Sequence, residues 1–218
     1  MMIAKLLRSL LRFVRQCIAK VKHRALIMAY IAKGRRPWSH GYNLTKFDFI
    51  KSVLNNKELI AKFKCLDKLP DGYGYAYDER IVEYPWALSR IAPDSRRLLD
   101  AGSVFNFKEI VEYPLIKNKQ LTIFTLSPEK DAFWKNGISY NYGDLRDLPF
   151  RDGWFDEICS LSTLGHVGMD NRIYTHVSSH GKIGLEAEKA VKELLRVLRP
   201  GGKFLISVVF GKRQLKMG

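Results

Sequence analysis

Three short runs stand in fixed order along this chain: RRLLDAGS at 96–103, YGDLRDLPFRDGWFDEI at 142–158 and ELLRVLRPGGKFLISV at 193–208. Leu98-Leu99-Asp100-Ala101 is apolar but for its acid, with charges before it and Gly102 after it, the composition of a strand buried in a parallel sheet. Further strands are expected at 121–125, 138–142, 155–161 and 203–209. Ser127-Pro128-Glu129 predicts a helix start, with Ser as cap, Pro in the first turn and Glu at the positive end. A later amphipathic helix is expected over 186–199, with Ala187, Val191, Leu194, Leu195 and Leu198 inward, stopped by Pro200-Gly201-Gly202. Strands alternating with helices at these spacings make βαβ units. The fold class is therefore α/β, a doubly wound, mostly parallel sheet of about five strands. Such a sheet binds ligands beyond the carboxyl ends of its strands. Asp100 and Gly102 stand at one such end, and Asp144 follows forty-four residues later.

Charge divides the chain. Of the 218 residues, the first 47 hold eleven Lys/Arg and no Asp or Glu, so a net charge of +15 leaves only +4 for the rest. The basic character belongs to an N-terminal arm. Over 3–21, Ile3, Leu6, Leu7, Leu10, Leu11, Val14, Ile18 and Val21 recur at helical steps, while Lys5, Arg8, Arg12, Arg15 and Lys22 fall on the other side. A charge every three or four residues excludes a membrane span, which needs roughly twenty apolar residues in a row. The same interruptions make a poor secretory signal. A helix lying flat on an anionic bilayer fits, and so does one packing its leucines on the body. An organellar transit segment is a third reading, weakened by few serines. Nucleic acid fits poorly, because no aromatics interleave the basic run.

Three segments follow: a basic amphipathic arm at 1–36, a helical and loop cap at 37–92, and a sheet-bearing core at 93–218. Within the cap, 44–68 reads as short helices broken near Asn55-Asn56, and Leu69-Pro-Asp-Gly72 as a turn. Tyr73, Tyr75, Tyr77, Tyr84 and Trp86 read as an aromatic lid. Three scattered cysteines, Cys17, Cys65 and Cys159, form neither a disulfide framework nor a metal spacing, which points to a reducing, cytoplasmic compartment. His176 and His180 lack a third ligand at a recognised spacing, so no metal is expected.

Over roughly 73–212 the chain resembles the class I S-adenosylmethionine-dependent methyltransferases, through the three ordered runs. It is most similar to a bacterial branch found with surface-polysaccharide genes, through DERIVEYPWALSR, LLDAGS, FWKNGISYNYGDLRDLPFRDGWFDEI, STLGHVGMDN and VVFGK. The resemblance implies a Rossmann-like core, S-adenosyl-L-methionine as cofactor, and a hydroxyl or amine of a small molecule or glycan as acceptor. Asp100, Ala101 and Gly102 would meet the cofactor's amino-acid end. Thr125 stands where the family carries a ribose-binding acid. Asp144 would accept the adenine amino group, with the Leu145 backbone beside it. Ser162, Thr163 and His166 would line the acceptor side, His166 as the general base, while Glu83 and Tyr84 would close over the cofactor.

Departures from the pattern are equally specific. Ser103, Val104, Phe105 and Asn106 follow Gly102 where the family carries more glycines. Thr125 hydrogen-bonds without the charge assistance of a carboxylate. Gly165 replaces a glutamate beside the histidine. The chain ends nine residues after the expected fifth strand, where the family continues with two more, so a C-terminally shortened sheet is expected, with Phe204, Ile206 and Val208 on an exposed edge. These losses favour a second reading, a non-catalytic, methyltransferase-shaped scaffold at a membrane. A nicotinamide-dependent oxidoreductase is disfavoured, because no G-x-G-x-x-G follows the first strand.

Overall fold

The computed structural model describes residues 2–168 and 183–208. His176 and His180 lie outside them. The chain divides into two compact units, residues 1–89 and 90–218.

The first unit is helical: α1 (Met2–Ala32), α2 (Tyr42–Leu54), α3 (Lys57–Cys65) and α4 (Arg80–Leu88). The break between α2 and α3 falls at Asn55-Asn56, as expected, and Asn56 caps α3 by accepting from Glu58 N and Leu59 N. Tyr73 and Tyr77 are packed by this unit's own rings, each lying 5.3–5.4 Å from Phe49. Lys46 and Asp78 form a buried pair at 2.7 Å, and the Asp78 N–H donates to the Tyr42 hydroxyl. Among the described residues no helix is long and apolar enough to cross a membrane.

The second unit is the expected α/β sheet. Its strands are β1 (Arg97–Ala101), β2 (Gln120–Thr125), β3 (Ser139–Tyr142), β4 (Phe155–Leu161) and β5 (Leu198–Ser207), all parallel in the order β3-β2-β1-β4-β5. Two short helices, α5 (Lys108–Val111) and α6 (Pro114–Lys117), separate β1 from β2, and α7 (Ile183–Val197) leads into β5. Ala190, Leu194 and Val197 of α7 pack on Leu99, Ala101, Phe124, Phe155 and Ile158. Burying Leu194 and Val197 contributes about 1.5–3 kcal/mol each, which is what fixes the helix to that face.

Three expectations need correction. No helix follows Ser127-Pro128-Glu129; the chain crosses to β3 through turns and a single 3₁₀ turn, Trp134–Asn136. Tertiary partners replace the helical ladder there: the Asn106 amide donates to Asp131 O at 2.8 Å, and Phe133 N donates to the Tyr140 hydroxyl at 2.8 Å. Leu195, expected inward, is 53% exposed, because the buried stripe of α7 runs through Ala190, Leu194 and Val197. Pro200-Gly201-Gly202 does not precede β5 but lies within it. Phe155 pairs with Leu198 and Glu157 with Lys203, so the extra residues form a bulge against β4.

At the amino ends of the strands, buried charge is fully engaged. Glu157, 2% exposed, accepts from Ala92 N and the Ser95 hydroxyl. Lys119 Nζ donates to Pro93 O, Ser95 O and Ser95 Oγ. Asp156 accepts the backbone N–H groups of Arg96 and Arg97 at 2.9 and 2.8 Å, fixing the start of β1 against β4.

Candidate active site

β1 runs between β2 and β4, and the strand order reverses direction at the β1–β4 pair. This is the topological switch point, where an open α/β sheet leaves a crevice at its carboxyl edge. The pairing Asp100↔Cys159, carried forward, brings Gly102-Ser103 beside Leu161-Ser162.

Asp100 is fully buried. Its carboxylate turns out of β1 and accepts from Val104 N at 3.1 Å and Phe105 N at 2.7 Å. The acid thus shapes the turn after the strand by holding two of its N–H groups. Ala101 is buried, and its carbonyl accepts from the Ser160 hydroxyl at 3.1 Å. Gly102 donates to Phe124 O and has φ +122°, a conformation that L side chains rarely adopt. A Cβ there would sit 2.1 Å from Thr163 Oγ1, so Thr163 lies directly against the glycine.

Strain gathers on both sides of that contact. Ser103 (φ +65°) and Ser162 (φ +49°) are both left-handed without being glycine. Conformations of this kind cost of order 1–3 kcal/mol and persist where the surroundings impose them, often at binding sites. Ser103 Oγ is also buried with no hydrogen-bond partner among the described residues. A buried hydroxyl left unpaired is costly in its own right. An orphaned donor, beside a glycine and between two strained turns, fits a ligand that brings a polar amino-acid end to this edge. On that ground the residues present fit S-adenosylmethionine.

The adenine-side candidates are held differently. Asp144, in the turn after β3, accepts from the backbone N of Arg146 at 2.9 Å and from its Nε at 2.9 Å and Nη2 at 2.5 Å. The Arg146 guanidinium beside it holds the carboxyl below its ordinary range. Arg146 also reaches Glu186 of α7 and so ties the turn to that helix. Leu145 is buried in the core cluster with α7. Thr125 ends β2, half-buried, and its carbonyl accepts from Gly143 N at 3.0 Å, which sets the Asp144 turn over the β2–β3 end.

On the β4 side, Ser162 N donates to Ser207 O at 3.0 Å, and Thr163 Oγ1 donates to Leu161 O at 3.0 Å. His166 ends a 3₁₀ turn, Leu164–His166, and is exposed. The sheet therefore gathers Asp100, Ala101, Gly102, Thr125, Asp144, Ser162 and His166 at its carboxyl edge. Tyr84 belongs to α4 of the first unit, where it is fully buried, with the Phe47 ring 6.3 Å away.

Sequence reasoning missed Arg146 and Glu186, and it noted Ser103 only as a departure from the glycine pattern. For Arg146 a signal existed, an arginine two residues after an aspartate in a turn. For Glu186, forty residues away, none did.

Residues 101–206, just under half of the chain, match the family model described as a methyltransferase domain. Solved structures that align with this chain include an S-adenosylmethionine dependent methyltransferase from Mesorhizobium loti, at 18% identity, covering 58% of this chain and 53% of that one with a TM-score of 0.39. A protein from Pyrococcus horikoshii OT3 aligns at 20% identity over 62% and 59%, with a TM-score of 0.42. A SAM-dependent methyltransferase from Thermotoga maritima aligns at 17% identity over 84% and 59%, with a TM-score of 0.39. The chain spans between half and three fifths of the length of these proteins. None is similar enough to carry an argument about chemistry.

Proposed function

We propose that this protein is a methyltransferase that moves the methyl group of S-adenosyl-L-methionine to a hydroxyl or amine of a small molecule or glycan. We place it in the cytoplasm, attached peripherally to the membrane's inner face through residues 1–36. The observation that carries the catalytic reading is the Ser103 hydroxyl, without a partner among the described residues, between the left-handed turns of β1 and β4 and inside a segment that matches a methyltransferase domain. The similarity to a polysaccharide-linked branch supports a glycan acceptor.

When bound, the cofactor supplies an electrophilic methyl group, so the reactive chemistry is its own. The chain's residues bind and orient. Gly102 and Ser103 hold the amino-acid end, and Asp100 keeps their turn in shape through the Val104 and Phe105 N–H groups. Thr125 offers a hydroxyl to the ribose. Asp144, kept ionised and fixed by Arg146, accepts from the adenine amino group beside the Leu145 backbone. Ser162 and Thr163 line the acceptor side, and orientation there is the main source of rate. His166, exposed at that edge, takes the proton of a hydroxyl acceptor.

A second reading is favoured by one observation: the carboxylates of both Asp100 and Asp144 are held by the chain itself. On that reading the protein is a non-catalytic scaffold of methyltransferase shape. Calorimetry with S-adenosylmethionine and S-adenosylhomocysteine separates the two. The catalytic reading expects saturable binding of both; folded protein that binds neither at millimolar ligand would establish the scaffold.

A further inference from the structure

α1 presents two apolar faces, and only one of them is covered, at the helix's C-terminal end. His23, Leu26, Ile27 and Tyr30 fall on a single side at 3.6 residues per turn. Tyr30 is 1% exposed, and His23 Nε2 lies 2.7 Å from Asp48 Oδ2 on α2. A Cβ at Gly41 would meet Leu26 O at 2.9 Å and Tyr30 Cβ at 3.0 Å, so this side lies hard against the start of α2. The opposite side carries Leu10, Val14, Ile18, Val21 and Met28, with exposures between 45% and 70%. Arg15 and Lys22 border that stripe on one margin and Lys20 and Arg24 on the other, all exposed.

The stripe's occupant follows from charge. No acid precedes Asp48, so a second copy of the helix would bring cation against cation along the whole contact. A surface of anionic phospholipid takes the apolar stripe into its acyl boundary and the bordering cations at its headgroups.

We infer that α1 is a membrane-docking rail anchored at its C-terminal end: the Leu10–Met28 stripe lies on an anionic bilayer while His23, Leu26 and Tyr30, on the reverse side of the last turns, stay clamped to the start of α2. Bilayer binding and packing of the first unit then use different residues and do not compete. This deepens the peripheral attachment proposed above and is independent of the cofactor reading.

The test uses the full chain and vesicles of phosphatidylcholine with or without phosphatidylserine. Wild type should pellet with the anionic vesicles at least about tenfold more than with neutral ones, and lose most of that in high salt. Leu10→Ser/Val14→Ser/Ile18→Ser/Val21→Ser should abolish pelleting, with unchanged melting temperature, elution volume and S-adenosylhomocysteine affinity. Leu26→Ala should do the reverse, lowering the melting temperature while pelleting stays within about twofold. Equal pelleting with neutral vesicles, or pelleting by the stripe variant, would overturn the inference. So would a wild-type dimer that the stripe variant dissolves, since a second copy would then be the occupant. Failure of cofactor binding alone would leave the rail standing and remove only the catalytic reading.

Discussion

The two ends of the sheet solve opposite problems. At the amino edge every named buried charge has partners: Glu157 accepts from Ala92 and Ser95, Lys119 donates to the carbonyls around it, and Asp156 receives two backbone N–H groups. At the carboxyl edge Ser103 and Ser162 are held left-handed, and the buried Ser103 hydroxyl has no partner among the described residues. Strain and unmet polarity are tolerated where a ligand can relieve them. At the amino edge, by contrast, the buried charges are fully paired, so breaking any one of those pairs is costly.

The largest effect is expected where pairing is complete. Glu157→Ala strands the Ala92 N–H and removes the charge partner of the buried cations nearby, and should lower stability by about 3 kcal/mol, a fall of about 10 °C in melting midpoint. Thermal and urea melts check it, and a fall below about 3 °C would mean that the amino edge is not the stabilising end. Next comes Asp100→Ala, which removes the acceptor for Val104 N and Phe105 N. It should cost about 2 kcal/mol and weaken S-adenosylhomocysteine binding about tenfold or more. An unchanged affinity by calorimetry would divorce the β1 turn from binding.

A smaller effect concerns pH. Glu193 accepts from Leu148 N and is held by Arg196, which also donates to Phe150 O, so the pair pins the turn that feeds β4. Arg196 pulls its carboxyl from 4.5 down to about 2. A depressed folded-state value stabilises above the unfolded-state value and loses that contribution as pH falls through the folded one. Stability should therefore drop between pH 4.5 and about 2, and Glu193→Gln should flatten that limb while costing about 1 kcal/mol at neutral pH. Urea midpoints measured across this range would show it; parallel acid limbs in the two proteins would assign the acid sensitivity elsewhere.

Legibility followed the range of the determinant. The five strands could be read because apolar runs bounded by charges and turns are local signals, and the Asn55-Asn56 break was equally local. The helix expected at Ser127 failed because its cap chemistry is local too, whereas Asn106 and Tyr140 capture that segment from a distance. Leu195 was misplaced because periodicity gives a stripe without saying which margin meets the sheet. At the site, residue types near Gly102 and Asp144 could be named, but not that both carboxylates would be engaged by the chain. Ser103 was visible only as a missing glycine. Its left-handed backbone and stranded hydroxyl arise from the β1–β4 pairing and from Thr163 against Gly102, contacts some sixty residues apart in sequence.

The most direct test is Ser103→Ala, melted with and without S-adenosylhomocysteine. If the hydroxyl is reserved for a ligand, the variant without ligand should be more stable than wild type by about 1 kcal/mol, because an unpaired buried group is gone, while ligand affinity falls about five- to tenfold. A variant that is less stable without ligand, yet binds as tightly as wild type, would contradict the account.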